Sequence, residues 1–154
     1  MRAFNWRELW TNPSRWSLAP IPDPPFRAQA VSLNQAYEAL RGDAHFFCIY
    51  IQEAHPQDWW PVESNLDDDV VFYQPKSLAE RANIAQACML RLDLTMPTLL
   101  DDMNNSTDAA YAAMPERLYV IDQRGIVTYQ SGPGPWSFDA DEWRDAIAQA
   151  VGVG

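Results

Sequence analysis

His45-Phe46-Phe47-Cys48-Ile49-Tyr50-Ile51 is a continuous apolar run with no polar residue alternating into it. A strand wetted on one side alternates apolar and polar residues, whereas a strand covered on both faces of a parallel sheet reads as an unbroken apolar stretch. The run therefore predicts a central strand buried on both faces. Just upstream, Asp23-Pro24-Pro25 joins a capping aspartate to prolines at the first helical positions, and Ala30, Leu33, Ala36, Tyr37 and Leu40 then share one face. This predicts a helix of about four turns from Phe26 to Leu40, ended by Gly42-Asp43. Downstream, Ser77 to Leu92 repeats apolar residues at helical spacing, and Thr95 to Leu100 returns to an extended pattern with Pro97 near its start. Asn104 to Ala113 suits a short helix. Arg117 to Asp122 and Ile126 to Tyr129 flank the turn Asp122-Gln123-Arg124-Gly125, a hairpin signal. Asp139 with Glu142 three residues on forms a capping box that opens a last helix reaching Val151.

At the other end, Phe4, Trp6, Leu9 and Trp10 stand at near-helical spacing before Asn12-Pro13, so residues 1–13 are expected to form a helical extension. Ser14 to Ala19 reads as a short first strand that runs into the rigid Pro20-Ile21-Pro22. The resulting order, β-α-β-α-β-β-α, defines an α/β chain of thioredoxin-like topology: a central mixed sheet with helices on both faces, in one domain over 1–154. Met96-Pro97 is expected to be the cis-proline that such folds set beside the active site.

Charge excludes several partners. The net charge is −10, with one lysine (Lys76) against ten arginines, so no clustered positive surface for nucleic acid or an anionic membrane is expected. No stretch approaches the roughly 18 apolar residues of a spanning helix, and the start lacks an apolar signal region, which makes a soluble cytoplasmic protein the expectation. Cys48 and Cys88 lack the spacing of a dithiol centre and lie in apolar runs, as buried small hydrophobes do. Two histidines and two cysteines are a poor basis for a zinc site, and Asp67-Asp68-Asp69 reads as a solvated loop. No metal and no cofactor are expected.

Three further stretches carry a resemblance. Ile49-Tyr50-Ile51-Gln52-Glu53-Ala54-His55-Pro56-Gln57-Asp58-Trp59-Trp60 resembles the Tyr-Ile-x-Glu-Ala-His-Pro-x-Asp-Gly-Trp segment of the iodothyronine deiodinases, with Trp59 in place of the glycine. Met96-Pro97-Thr98-Leu99-Leu100-Asp101-Asp102-Met103-Asn104-Asn105, with Tyr111 and Pro115-Glu116-Arg117-Leu118-Tyr119-Val120-Ile121, is similar to the later half of that family. Gly132-Pro133-Gly134-Pro135-Trp136 is similar as well. The resemblance implies a bacterial deiodinase-like member of the thioredoxin-like superfamily, and a homodimer. It sets Pro24-Pro25-Phe26 on the residues that follow the family's selenocysteine or cysteine, which puts Asp23 at the nucleophile. A second family histidine falls on Pro75, while Glu53, His55 and Arg117 are retained.

A carboxylate cannot take up iodine or cycle through oxidised sulfur as a low-pKa chalcogen does. Asp23 is either a helix cap or a functional carboxylate, and on the second reading it is a general base or counter-ion, with His55 as proton-transfer partner and Glu53 polarising that imidazole. Arg117, Trp59, Trp60, Tyr50, Pro97 and Trp136 are the candidate substrate-binding residues, the tryptophans as walls for a flat, apolar ligand. The leading expectation is cofactor-independent acid–base catalysis (cyclisation, elimination or isomerisation) on an apolar or aromatic substrate of secondary metabolism. A thiol-dependent oxidoreductase or dehalogenase, and a non-catalytic small-molecule-binding module, stand beside it.

Overall fold

A computed structural model describes residues 25–63, 65, 71–134 and 136–153, the first four by backbone alone. In chain order these form α1 (Pro25–Leu40), β1 (Cys48–Tyr50), α2 (Leu78–Arg91), β2 (Thr98–Leu100), α3 (Ser106–Tyr111), β3 (Tyr119–Ile121), β4 (Val127–Gln130) and α4 (Ala140–Val151). The helical extension over 1–13, the first strand over Ser14–Ala19, Asp23 and the run Asp67-Asp68-Asp69 lie outside the described residues.

The described strands fall into two pairs. β1 and β2 run parallel with Ile49 opposite Leu99, joined through α2, as a parallel pair needs a crossover connection. β3 and β4 are an antiparallel hairpin with an irregularity between Val120 and Ile121. Its turn is the expected one: Asp122 N–H donates to the Ile126 carbonyl and Gly125 N–H to the Asp122 carbonyl. Gly125 sits at φ 78°, where a side chain would be strained.

Both pairs contribute to one core. Ala30, Leu33, Ala36 and Leu40 of α1 meet Phe46, Met96, Leu118, Val120 and the α4 residues Trp143 and Ile147. Phe46 stands edge-on to Trp143 and to Tyr37, each with ring centroids 5.4 Å apart. The Trp143 indole N–H donates to the Tyr119 carbonyl (2.9 Å), so the ring buries its apolar body without stranding its donor. Gln29 locks α1 to the start of α4: its amide donates to the Phe138 carbonyl and accepts from Ala140 N–H. Asp139 caps α4 by accepting from Asp141 and Glu142 N–H, and Gly152 ends it at φ 74°.

Three expectations are corrected. The run His45–Ile51 is not covered on both faces: Phe46 is buried, but Phe47 is 57% and Ile49 41% exposed, as is Leu99 at 48% on the partner strand. The helices among the described residues bury the face that carries Phe46 and Met96. The helix expected over Asn104–Ala113 is shorter because Asn105 (φ 56°) and Ala112 (φ 49°) are left-handed and bound it. The cis bond is Met114–Pro115, ahead of the hairpin, and not Met96–Pro97. Pro97 instead leads straight into the parallel ladder, where its carbonyl accepts from Cys48 N–H.

No helix among the described residues is long and apolar enough to cross a membrane. Because Trp143 both fills the core and satisfies a strand carbonyl, Trp143→Ala should cost about 3–5 kcal/mol of stability, read as a fall in the urea midpoint at unchanged slope.

Candidate functional site

The carboxyl ends of β1 and β2 lie side by side, because the two strands are parallel and in register, and the segment that leaves β1 carries Glu53, His55, Trp59 and Trp60. In open α/β folds this crevice is where ligands bind. Tyr50 is the last residue of β1, and its hydroxyl donates to the Glu53 carboxyl. The loop that carries Glu53 is pinned from outside by Gln74, which accepts from Glu53 N–H (3.1 Å) and donates to the Glu53 carbonyl (2.8 Å). Gln74 is itself held by Asp58, which accepts its backbone N–H.

Two residues on, the His55 ring Nδ1 lies 3.2 Å from the Trp60 carbonyl, and the two rings meet edge to face at 4.7 Å. Burial pushes the imidazole below its ordinary pKa, partly offset by that carbonyl contact, so His55 is held toward its neutral form. Burial has the opposite effect on Glu53: its carboxyl is raised to about 7, although the Arg81 charge draws it down. A carboxyl raised to about 7 and an imidazole held toward its neutral form, two residues apart on one braced loop, are groups suited to giving and accepting a proton.

Residues that the sequence reading missed hold this loop in place. Arg81 of α2 is only 2% exposed. Its guanidinium donates to the Asp101 and Asp102 carbonyls (3.1 and 2.6 Å) and to the Asn105 side-chain oxygen (2.8 Å). The Asn105 amide donates to Gln52 (3.2 Å), and Gln52 donates to the Asp108 carboxylate (2.8 Å). Asp101, also 2% exposed, accepts from Asp102, Thr107 and Asp108 N–H, and so caps α3 from a distance. Burial would raise its carboxyl, but those donors hold it below the usual range. One signal was present in the sequence: Arg81 falls at helical spacing with Ala85 and Cys88, a charged residue in an otherwise inward-facing series.

The other candidates are dispersed. Arg117 is half-buried on the stretch between the cis proline and β3, where it faces the Tyr119 hydroxyl. That hydroxyl donates to the Tyr111 carbonyl at the end of α3 and accepts from Gln130. Its neighbour Glu116, which the sequence reading did not single out, packs its carboxyl on Gly134, where any Cβ would overlap it. Burial raises that carboxyl to about 7 as well. Trp60 belongs to the site through His55, whereas Trp59 and Trp136 are both 58% exposed. Pro97 is not brought to Glu53 and His55: with Tyr37, Arg41, His45, Phe46 and Phe47 it lines an open groove of about 520 Å³ at the opposite ends of the strands. Asp23, the expected base, lies outside the described residues.

The Cys48 thiol is not primed. Cys48 and Cys88 form no disulfide and are half-buried. Burial, with Cys88 beside it, pushes the Cys48 thiol up to about 11, so the thiolate that would attack is suppressed.

Comparison with known proteins points to one family. A family model described as iodothyronine deiodinase matches residues 19–150. The chain is 34% identical over 132 residues to type I iodothyronine deiodinase of Xenopus laevis, covering 86% of this chain and 50% of that protein. It is 36% identical over 137 residues to thyroxine 5-deiodinase of Rattus norvegicus, covering 87% of this chain and 42% of that one. With the human thyroxine 5-deiodinase the identity is 37% over 124 residues, covering 79% and 38%. Fold and sequence thus place the chain in a known class of α/β, thioredoxin-like proteins. This chain belongs to the iodothyronine deiodinase family, and it spans half or less of the length of these relatives.

The raised Glu53 carboxyl has a consequence for stability. Its folded pKa exceeds its unfolded one, so its contribution is fully present below the unfolded value of about 4.5 and is lost as pH rises through about 7. His55, lowered, acts in the opposite sense and loses its contribution as pH falls below its unfolded value of 6.5. Glu53→Gln should therefore gain stability relative to the wild type between pH 5 and 8, measured as the difference between their melting temperatures across that range. A difference that does not change with pH would place the carboxyl in its ordinary range.

Proposed function

We propose that this deiodinase-family chain is an enzyme that transfers protons on an apolar or aromatic small molecule, with Glu53 and His55 as the acid–base pair and Asp23 at the position of the family's chalcogen nucleophile. The observation that carries this reading is the Tyr50–Glu53 hydrogen bond on a carboxyl raised to about 7, beside a histidine held toward neutrality. Such groups suit cyclisation, elimination or isomerisation, reactions in which a proton leaves one atom and returns to another with no net oxidation. Asp23 supplies a further base, and Trp60 an aromatic wall beside His55. The substrate class belongs to secondary metabolism on this reading, the protein acts in the cytoplasm as a homodimer, and no cofactor enters the reaction.

The named activities of the relatives favour a second reading, reductive deiodination. It requires a nucleophilic thiol, and Cys48, at about 11, is the wrong side of neutrality for one.

Two assays separate the readings. In deuterium oxide, a panel of aryl ketones with acidic α-hydrogens should take up deuterium in the presence of the protein. The rate should fall about 100-fold or more in Asp23→Asn and in Glu53→Gln, and stay within twofold in Cys48→Ala/Cys88→Ala. Iodide release from an iodinated phenol in the presence of dithiothreitol, abolished by Cys48→Ala, would overturn the acid–base reading in favour of deiodination. Ligand binding without exchange or iodide release would leave a binding module.

A further inference from the structure

We propose that Arg81 is a positioning residue, which sets the Gln52–His55 loop through Asn105. The inference deepens the acid–base reading, because the loop so held is the one that carries Glu53 and His55.

The geometry is a chain of single contacts. The guanidinium fork spans the Asp101 and Asp102 carbonyls and the Asn105 side chain, which fixes the turn that leaves β2. Asn105 then passes that position on to Gln52, which leaves β1. Gln52 has a second hold on the same turn, through Asp108, whose other carboxylate oxygen accepts from Met114 N–H. The two segments that leave the parallel strands are thereby set against each other by side chains and not by strand pairing, which stops at Tyr50 and Leu100.

Two features mark Arg81 as more than packing. The ion pairs among the described residues are Arg41–Glu38, Arg124–Asp122 and Arg144 with Asp141 and Asp145, all on exposed arginines, and none of them involves the buried Arg81 guanidinium. Its Nε, moreover, has no hydrogen-bond partner among the described residues. Burying a charge is costly, and a neutral glutamine could brace one carbonyl without that cost. What the guanidinium adds is a rigid fork that reaches three acceptors at once and a positive charge that acts on the Glu53 carboxyl.

The test needs no substrate, so its failure is separable from failure of the acid–base reading. The chain has only two histidines, and the exposed His45 is an internal control for His55 in proton–nitrogen spectra. Arg81→Met removes the fork. Asn105→Asp keeps the acceptor for Arg81 and tolerates the left-handed backbone at Asn105 (φ 56°), but deletes the donor to Gln52. In both folded variants the His55 ring resonances and the Gln52–Ala54 amides should shift, more in Arg81→Met, while His45 stays in place. If Arg81→Met fails to fold, Asn105→Asp alone decides. A lowered unfolding midpoint with His55 and the loop amides at their wild-type positions is the signature of a merely structural arginine, and it would overturn the proposal.

Discussion

The carboxyl ends of β1 and β2 can meet only because the polar groups there satisfy one another around the Arg81 guanidinium. Strand pairing ends at Tyr50 and Leu100, and beyond it two backbones with unpaired carbonyls and amides would face each other inside the protein. Buried groups of this kind are costly unless hydrogen-bonded. Arg81 takes up the carbonyls and Asp101 the amides. Gln52 and Asn105 close the gap between the two segments. The short helix α3, the turn before it and the Glu53–His55 loop all depend on that junction. The apolar core formed by α1, α4 and the strands holds the strands themselves but does not reach this end of them.

The same burial that makes the junction expensive gives the site its chemistry. A carboxyl in water is ionised at neutral pH, and an imidazole is partly charged. Removing both from water pushes the acid up and the base down, so each is held toward its uncharged form. Tyr50 and Gln74 fix where the acid stands, and Trp60 fixes the imidazole ring. The thiol of Cys48 experiences the same desolvation with the opposite functional result, since burial removes its nucleophilic form. Burial thus raises the Glu53 carboxyl beyond one end of β1 and suppresses the Cys48 thiolate at the other.

Much of this was legible in the sequence where the signal is local. Asp139 and Gly125 mark element ends because caps and left-handed turns demand particular side chains, and the helices over Leu78–Arg91 and Ala140–Val151 fall where they were expected. The Tyr50–His55 segment was legible because its residues are neighbours in the chain. What was not legible depends on residues far apart in sequence. Arg81 and Asn105 are 24 positions apart, and Gln52 and Asp108 are 56 apart, and no periodicity reports such a pairing. An unbroken apolar run likewise could not say which face of β1 would be covered, since Phe46 and Phe47 read alike and only packing separates them. The proline expected to be cis sits at the start of a parallel ladder, and nothing in the dipeptide distinguishes it from Met114-Pro115.

The central claim is that Glu53 holds a proton at neutral pH. Side-chain carboxyl carbon resonances, followed by pH titration in protein labelled with carbon-13 at glutamate and assigned through Glu53→Gln, measure this directly. The account predicts a midpoint for Glu53 near 7. A midpoint between 4 and 5, the range of an ordinary solvated carboxyl, would contradict it.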